Sequence, residues 1–571
     1  MKILLVRHGE STANVAGLLS SLPSDDAMLT ERGRSQVADV AKRMRGNVDT
    51  VYVSPLRRTV ETADILFRNR VKKPNNNIDA RIREIDYGIY SGRPNNSKLD
   101  AVRRAQVDGD YLMRFSSKGE NKLEILTRLY DFLIEVIEKN TSPANVVVVS
   151  HGSIIGWLER IILALDSTEN KHRHVANAEV RSYTLRKRDS KKIFRHRLVD
   201  EYCAKAADSS ITSRYRTEYI KLANLYNDTE LELYAFEQLL KGMFESDIVP
   251  VEKHINYRSL GEYEVIAVCA LHNSEIIVGE YIDHYVDRGI KHFVFIDNNS
   301  DDRSVSIIKS KMTADIYIDI WQTKDVFDGF KAMGWKQRMF FHYGIDRWYL
   351  NLDVDELAVF VGCEKQGMRS LVHYAAARRL RSVGGVLVDM YSEGPIVSDE
   401  SLDESIVSRY RFFDMNSYTH EQDCRFVARI FGGPRTRLFD RHPSLQKFPL
   451  AFVDSKTIAI NPHFWFPYEV NQRSERLIGL LHYKFLPGDL NRYKKYVKSG
   501  VHWDDSSQYR SYVKRMLGAH DASFYDDIYS AEYVKSESLR RLVDGNGEAL
   551  ISEMPNTVSG LVNNNQRSVR S

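Results

Sequence analysis

The chain is 571 residues long, 43% hydrophobic and 28% charged, with a formal net charge of +4. That length calls for about two to four domains, and the near-neutral balance gives no bulk-charge reason to expect a nucleic-acid partner. No apolar run approaches the roughly 18 residues that span a bilayer, so membrane contact is expected to be peripheral.

In chain order, Lys2–Val6 predicts a buried strand that ends on Arg7-His8-Gly9. Further strands are predicted at Thr50–Val53, Val146–Ser150 and Val180–Arg186, and helices near Arg32–Met44, Thr59–Phe67, Leu123–Glu138 and Ile154–Leu165. Alternating strands and helices predict a three-layer α/β domain over residues 1–200, with Lys187–Lys192 as a solvated turn near its end. Val146-Val147-Val148-Val149 ends on Ser150-His151-Gly152, so two imidazoles reach the carboxyl ends of two strands, the edge where open α/β sheets bind ligands. Arginines follow a third strand end at Ser54-Pro55-Leu56-Arg57-Arg58-Thr59. Two histidines and two or more arginines around one point suit a phosphoryl group: one imidazole attacks phosphorus while guanidiniums hold its oxygens.

These motifs resemble the histidine phosphatase (phosphoglycerate-mutase-like) superfamily. The carriers are Arg7-His8-Gly9-Glu10-Ser11-Thr12-Ala13-Asn14, Leu29–Gln36, Ser54–Ala63 and Val149–Gly152. The resemblance implies His8 as the phosphorylated nucleophile, Arg7, Arg58 and His151 as the phosphate pocket, Asn14 as a substrate contact and Glu84 as the general acid. It implies no metal for this domain. A carboxyl can protonate the leaving oxygen where burial raises its pKa.

Residues 201–255 space apolar side chains at i, i+3 and i+4, which predicts a helical connector; a partner or oligomerisation helix pair is the alternative. Strand–helix alternation then restarts, predicting a domain over 256–510 with a helical extension and disordered tail at 511–571. A strand from Glu264 is followed by a helix Ile276–Arg288, a strand His292–Ile296 ending in the acidic run Asp297–Asp302, a strand Ala314–Ile320, and Trp348–Leu352 running into Asp353-Val354-Asp355. Carboxylates at i and i+2 beyond an apolar strand can chelate Mg²⁺ or Mn²⁺, leaving positions for diphosphate oxygens. Acidic pairs also simply terminate strands.

With Leu271–Glu275, Glu280–Tyr285, Gly432–Phe439 and Leu481-His482-Tyr483-Lys484, this pattern resembles the GT-A glycosyltransferases of the family-2-like and family-92-like group. The relatives usually read Lys-Asn-Glu where this chain has His272-Asn273-Ser274. The resemblance implies a Rossmann-like fold, Asp353, Asp355 and His482 around the metal, and Asp297 on the donor nucleoside or ribose; Asp302 lies in the same acidic run. Arg435 and Arg437, read as alternating on one strand face, are candidates to clamp a phosphate. Glu356 and Glu393 are the candidates for an acceptor base.

Together the two halves predict a bifunctional enzyme of surface-glycan assembly, cytoplasmic or at the inner face of the membrane, acting on a phosphate-activated sugar donor and a glycan or lipid-linked glycan acceptor. In one coupling the transferase adds a phosphosugar, such as phosphoribosyl from its 1-diphosphate, and the phosphatase removes the phosphate. In the other, a nucleotide-sugar transferase accompanies a phosphatase that trims a precursor or by-product. A third reading keeps the phosphatase active beside a degenerate, glycan-binding transferase domain.

Overall fold

The computed structural model describes residues 1–554 apart from positions 45, 72–73, 75, 108–109, 141–142, 165–173, most of 206–229, 398–403, 423–427, 455–456, 460, 467–470, 472–474, 501–505 and 519–521. The chain forms two compact units, residues 1–237 and 238–571. The tail from 555 and most of the first half of the helical hairpin expected in the connector lie outside the described residues, while its second half is a helix, Glu230–Phe244.

The first unit holds β1 (Lys2–Arg7), α1 (Thr12–Val15), α2 (Glu31–Arg43), β2 (Thr50–Val53), α3 (Arg57–Phe67), β3 (Asn76–Ile78), α4 (Ser97–Val107), α5 (Lys122–Lys139), β4 (Asn145–Ser150), α6 (Gly152–Ala164), β5 (Val180–Thr184) and α7 (Asp189–Lys205). Its sheet runs β3-β2-β4-β1-β5, parallel except for β5. Valines make β4 stiff and apolar on both faces, as a strand covered on both sides requires. On one face Val6, Val51, Val53, Val147 and Val149 pack with Val37 and Val40 of α2 and Ala63, Leu66 and Phe67 of α3. On the other, Tyr52 meets Phe132 of α5 edge to face, 5.4 Å between ring centres.

Of the solvated turn expected at Lys187–Lys192, Lys187 and Arg188 are an exposed turn, and the rest is helical. Helix α7 runs from Asp189 to Lys205, because Ile193, Val199, Tyr202 and Cys203 form a buried stripe that outweighs its polar start.

The second unit contains a nine-stranded mixed sheet. Its strands are β6 (Ile248–Glu252), β7 (Val265–Leu271), β8 (His292–Asp297), β9 (Tyr317–Thr323), β10 (Arg347–Asn351), β11 (Glu356–Val359), β12 (Ser382–Asp389), β16 (Gln446–Val453) and β19 (Arg476–His482). Three small pairs flank it: β13 (Phe412–Asp414) with β20 (Ser530–Glu532), β14 (Tyr418–Gln422) with β15 (Ala428–Gly432), and β17 (Ile458–Ala459) with β18 (Trp465–Phe466). Thus β20 and a helix Ser507–Gly518 occupy the region expected to be a helical extension. The order is β11-β19-β12-β16-β10-β7-β8-β9-β6, with β10, β7, β8 and β9 parallel. The chain leaves β7 for β8 on one side and returns to β10 on the other, so strand order reverses between β7 and β10, the crevice where such sheets bind ligands.

Close backbone approach fixes the loop after β1. A Cβ on Gly33, in the first turn of α2, would lie 2.0 Å from the carbonyl oxygen of Glu10, and one on Gly9 would lie 2.5 Å from that of Gly33. Gly→Ala inside a helix normally stabilises by ~1 kcal/mol. Here Gly33→Ala is expected to destabilise by about 1–3 kcal/mol, read as a fall in unfolding midpoint of the full-length chain.

Candidate active site

In the first unit, parallel pairing builds the site. Arg7 stands in register with Ser150, so His8 and His151 emerge one residue beyond the ends of adjacent strands. Their ring centres are 5.3 Å apart, and both residues are buried. Arg58, one residue into α3, lies between them: its Nε donates to His8 Nε2 at 3.1 Å and its Nη2 to His151 Nδ1 at 3.0 Å. Ser20 anchors the same guanidinium, accepting at Oγ (3.0 Å) and at its carbonyl (2.8 Å).

A guanidinium can only donate, so these contacts fix both tautomers. His8 Nε2 is an acceptor, and its Nδ1–H points at the carbonyl of Gly9, 2.7 Å away. His151 Nδ1 is an acceptor, and its Nε2–H points at Ser54 Oγ, 2.7 Å away. Burial, and then the charge of Arg58, pushes the pKa of each imidazole well below its ordinary value. His8 is therefore a neutral imidazole whose Nε2 lone pair faces the cationic end of the pocket, the form a nucleophile needs. Arg7 Nε is a buried donor with no partner among the described residues.

Glu84 follows the short turn Ala80–Ile82; its Oε1 accepts from the backbone N–H of Ile85 at 2.9 Å. Burial raises its pKa, against the pull of that hydrogen bond and of Arg58 and Arg7. A carboxyl so raised, facing two arginines, suits a proton donor to a leaving oxygen. Asn14 does not line the pocket as a free amide: its Oδ1 accepts from the N–H of Ser11 at 3.1 Å and from Asn177 at 2.9 Å, closing the capping box of α1. Ser20 and Ser54 escaped the sequence reading, because a lone serine carries no pattern until the fold brings it to Arg58 or His151.

This geometry matches a known family. Residues 3–195 fit the family model for the histidine phosphatase superfamily (branch 1). The N-terminal unit belongs to the histidine phosphatase superfamily. The chain is 30% identical over 190 residues to the "Probable phosphoglycerate mutase GpmB" of Erwinia tasmaniensis, covering 32% of this chain and 83% of that protein. It is 34% identical over 155 residues to phosphoserine phosphatase 1 of Hydrogenobacter thermophilus, covering 26% and 71%. Among solved structures, the alpha-ribazole phosphatase of Shigella flexneri is 23% identical, over 32% of this chain and 91% of that one, with a TM-score of 0.27. A histidine phosphatase unit is thus an enzyme module, of the phosphatase or mutase kind.

In the second unit, register again assembles the polar centre. His482 pairs with Glu356 of β11 on one side and with Asp389 of β12 on the other. His482 Nδ1 lies 2.6 Å from Asp389 Oδ1, and its Nε2 lies 3.6 Å from Asp355 Oδ2. Burial lowers the pKa of His482, but the two carboxylates overcome it and raise it.

Asp353 has both oxygens engaged by buried lysines, Oδ1 with Lys336 at 3.2 Å and Oδ2 with Lys447 at 3.1 Å. Lys447 also reaches both oxygens of Glu356, at 2.7 and 2.6 Å. Desolvation pushes the Asp353 carboxyl up, but Lys447 and Lys336 hold it far below the usual carboxylate range. The centre therefore holds Asp355 and His482 close enough to share a divalent cation, while Asp353, half-exposed, has one lysine on each carboxylate oxygen. Among the described residues, the only three His, Cys, Asp or Glu side chains whose ligand atoms lie within 4.8 Å of one another are His420, Asp544 and Glu548, outside this centre.

The other candidates are placed differently from the sequence reading. Arg435 and Arg437 lie on a short helix, Pro434–Phe439, not on a strand, because Pro434 at the first helical position follows two positive-φ glycines, Gly432 and Gly433. Arg435 Nε is bound to Asp389 at 2.7 Å, with no hydrogen-bond partner for its Nη2 among the described residues; Arg437 Nη2 is bound to Asp414 at 3.0 Å. Asp302 accepts from the backbone N–H groups of Glu275 and Ser304, a loop-tying role. Asp297, at the end of β8, is buried and accepts from Ser300 N–H and Gln322 Nε2. Glu356 is fully engaged by Lys447, and Glu393 is exposed. Lys336, Lys447 and Asp389 were missed. Lys447 carried a signal, a lone charge inside the apolar strand Gln446–Val453.

For the first unit, kcat/KM toward a phosphomonoester is expected to fall on the alkaline side as Glu84 loses its proton. Its raised pKa moves that limb above the ordinary carboxylate range. The acid limb, set by protonation of His8, moves below its ordinary value. Glu84→Gln should cost ~10²–10⁴-fold in rate and abolish the alkaline limb; a pH–rate profile reads both. For the second unit, Lys447→Met removes the ammonium shared by Asp353 and Glu356 and should destabilise by about 3–5 kcal/mol, measured by denaturant unfolding; Lys447→Arg should restore part of the loss.

Proposed function

We propose that the first unit is a phosphomonoester phosphatase working through phosphohistidine. The observation that carries this reading is the neutral His8 whose Nε2 shares Arg58 with His151. His8 Nε2 attacks phosphorus, forming an N–P bond as the P–O bond to the leaving group breaks. Glu84 gives its proton to the departing oxygen. Water then cleaves the N–P bond, with the Glu84 carboxylate taking the water's proton. Arg58 and Arg7 balance the charge of the phosphoryl oxygens, and the neutral His151 holds Arg58 in place through its Nδ1.

The second unit is proposed to be a GT-A-like glycosyltransferase. Support comes from the polar centre at the reversal of strand order, with Asp353 and Asp355 beyond β10, Asp297 ending β8, and His482 opposite Asp389. Asp355 and His482 are the residues that would hold Mg²⁺ or Mn²⁺, which when bound would stabilise a departing diphosphate. Lys336 and Lys447 add fixed positive charge beside Asp353, and Asp389, held by Arg435, orients His482.

In the combined reading, the transferase adds a phosphosugar, such as phosphoribosyl from its 1-diphosphate, to a glycan acceptor, and the phosphatase removes the remaining phosphate. Removal of the phosphate makes the addition irreversible, and fusion raises the effective concentration of one activity near the other. Such a protein acts in surface-glycan assembly, at the cytoplasmic face of the membrane. A second reading, an active phosphatase beside a glycan-binding transferase-like unit, draws support from the two lysines that neutralise Asp353.

His8→Ala supplied with phosphoribosyl diphosphate and acceptor should accumulate a phosphorylated glycan, detectable as an added phosphopentose by mass spectrometry. Asp355→Ala should form neither product. Absence of the phosphorylated glycan from His8→Ala would sink the sequential reading, and donor turnover unaffected in Asp355→Ala would sink the assignment of the second centre.

A further inference from the structure

Two helices of the second unit, Asp489–Ser499 and Ser507–Gly518, have strongly unequal faces. Their inner faces contribute Tyr493, Tyr512 and Met516 to an aromatic cluster with Phe439, Phe485 and Phe524. Their outer faces expose Lys494, Lys495, Lys498, Lys514 and Arg515, with Leu517 beside the last two. No carboxylate among the described residues pairs with any of these five cations. Asp489, the one acid on either helix, is buried and engaged by Arg492 at 2.8 Å. The two helices carry a formal +6, more than the +4 of the whole chain, so the rest is net acidic and the positive charge is concentrated here. Lys494 and Lys498 stand at i, i+4, where like charges destabilise a helix, so local helix stability gives no reason for the pattern.

We propose that this face is a docking surface for an anionic lipid bilayer. The proposal rests on the reading of the second unit as a transferase with a lipid-linked acceptor. A helix pair with cationic outer side chains on long apolar stems and an exposed leucine is built to lie at a headgroup interface. Attraction accumulates with each Lys or Arg brought near an anionic surface and is screened by salt. No described helix is long and apolar enough to cross a membrane.

The same helices are tied to the polar centre. The backbone carbonyl of Lys484, two residues past His482, accepts from the hydroxyl of Tyr493, and its Nζ points at Tyr509 Oη, 3.4 Å away. Tyr483 N–H in turn donates to the carbonyl of Asp355 at 2.9 Å. The docking face thus backs directly onto the segment that carries His482. Nucleic acid is the less favoured occupant, because neither helix presents a fully exposed aromatic ring on which a base would stack.

The test is flotation of the full-length protein with vesicles of phosphatidylcholine alone or with a third phosphatidylglycerol. The wild type should float with the anionic vesicles at 0.1 M salt, lose at least tenfold in affinity at 0.5 M salt, and ignore neutral vesicles. A variant with Lys494→Gln, Lys495→Gln, Lys498→Gln, Lys514→Gln and Arg515→Gln should lose at least tenfold in anionic-vesicle affinity. It should keep phosphomonoesterase activity, and an unchanged unfolding midpoint of the second unit reports that the substituted helices still fold. A control with Lys98→Gln, Lys118→Gln and Lys187→Gln should float like the wild type. Equal flotation of the five-site variant, flotation with neutral vesicles, or tight binding of a single-stranded oligonucleotide with none to vesicles would each overturn the proposal. Donor turnover with a soluble acceptor, measured on the same variant, separates this outcome from failure of the transferase reading, since only the latter predicts its absence in the wild type.

Discussion

The constraint on which both centres depend is strand register. Pairing Arg7 with Ser150 in a parallel ladder leaves the next residue of each strand, His8 and His151, at one edge of the sheet. In the second sheet, pairing His482 with both Glu356 and Asp389 puts an imidazole between two carboxyl-bearing strands. Because side chains alternate along a strand, a slip of one residue in either ladder would send these groups to the opposite face. The apolar runs that flank them, valines in β4 and Leu480-Leu481 in β19, lock the register by burial and so determine where the chemistry stands.

Both centres then solve the cost of burying charge in opposite ways. In the first, one guanidinium is shared between two neutral imidazoles, so positive charge dominates and a dianionic phosphoryl group is the natural complement. Among the described residues no carboxylate is hydrogen-bonded to Arg58; its donors go to His8, His151 and Ser20. In the second, carboxylates and ammonium groups neutralise one another: Asp353 with Lys336 and Lys447, Glu356 with Lys447, Asp389 with Arg435 and His482. Such pairs seldom add net stability over apolar packing, but removing one partner strands the other in a low dielectric. That asymmetry makes Lys447 a structural keystone as well as a neighbour of Asp353.

The glycines at the first site illustrate how backbone proximity supports side-chain placement. Gly9 and Gly33 let the segment after β1 press against the start of α2. Thr30 caps that helix through the N–H of Gly33 and also donates to the side chain of Glu10, tying cap and loop together. The nucleophile thus sits on a segment fixed from both sides.

Much of the first unit was legible in its residues. Apolar strands ending on Arg-His-Gly and Ser-His-Gly, with an arginine pair after a third strand, specify side-chain types at strand ends, and strand ends share an edge in a parallel sheet. The helix from Asp189 was not legible, because its polar opening hides a stripe that only burial against other elements reveals. Nor was the environment of Asp353: residues 336, 353 and 447 lie far apart in the chain, and local patterns carry no information about which distant ammonium meets a carboxylate. The sequence by itself determined which chemical groups the strand ends carry. Only the tertiary structure decided which of them are open and which are held, since a hydrogen bond or ion pair depends on distances of a few ångströms that spacing along a chain does not encode.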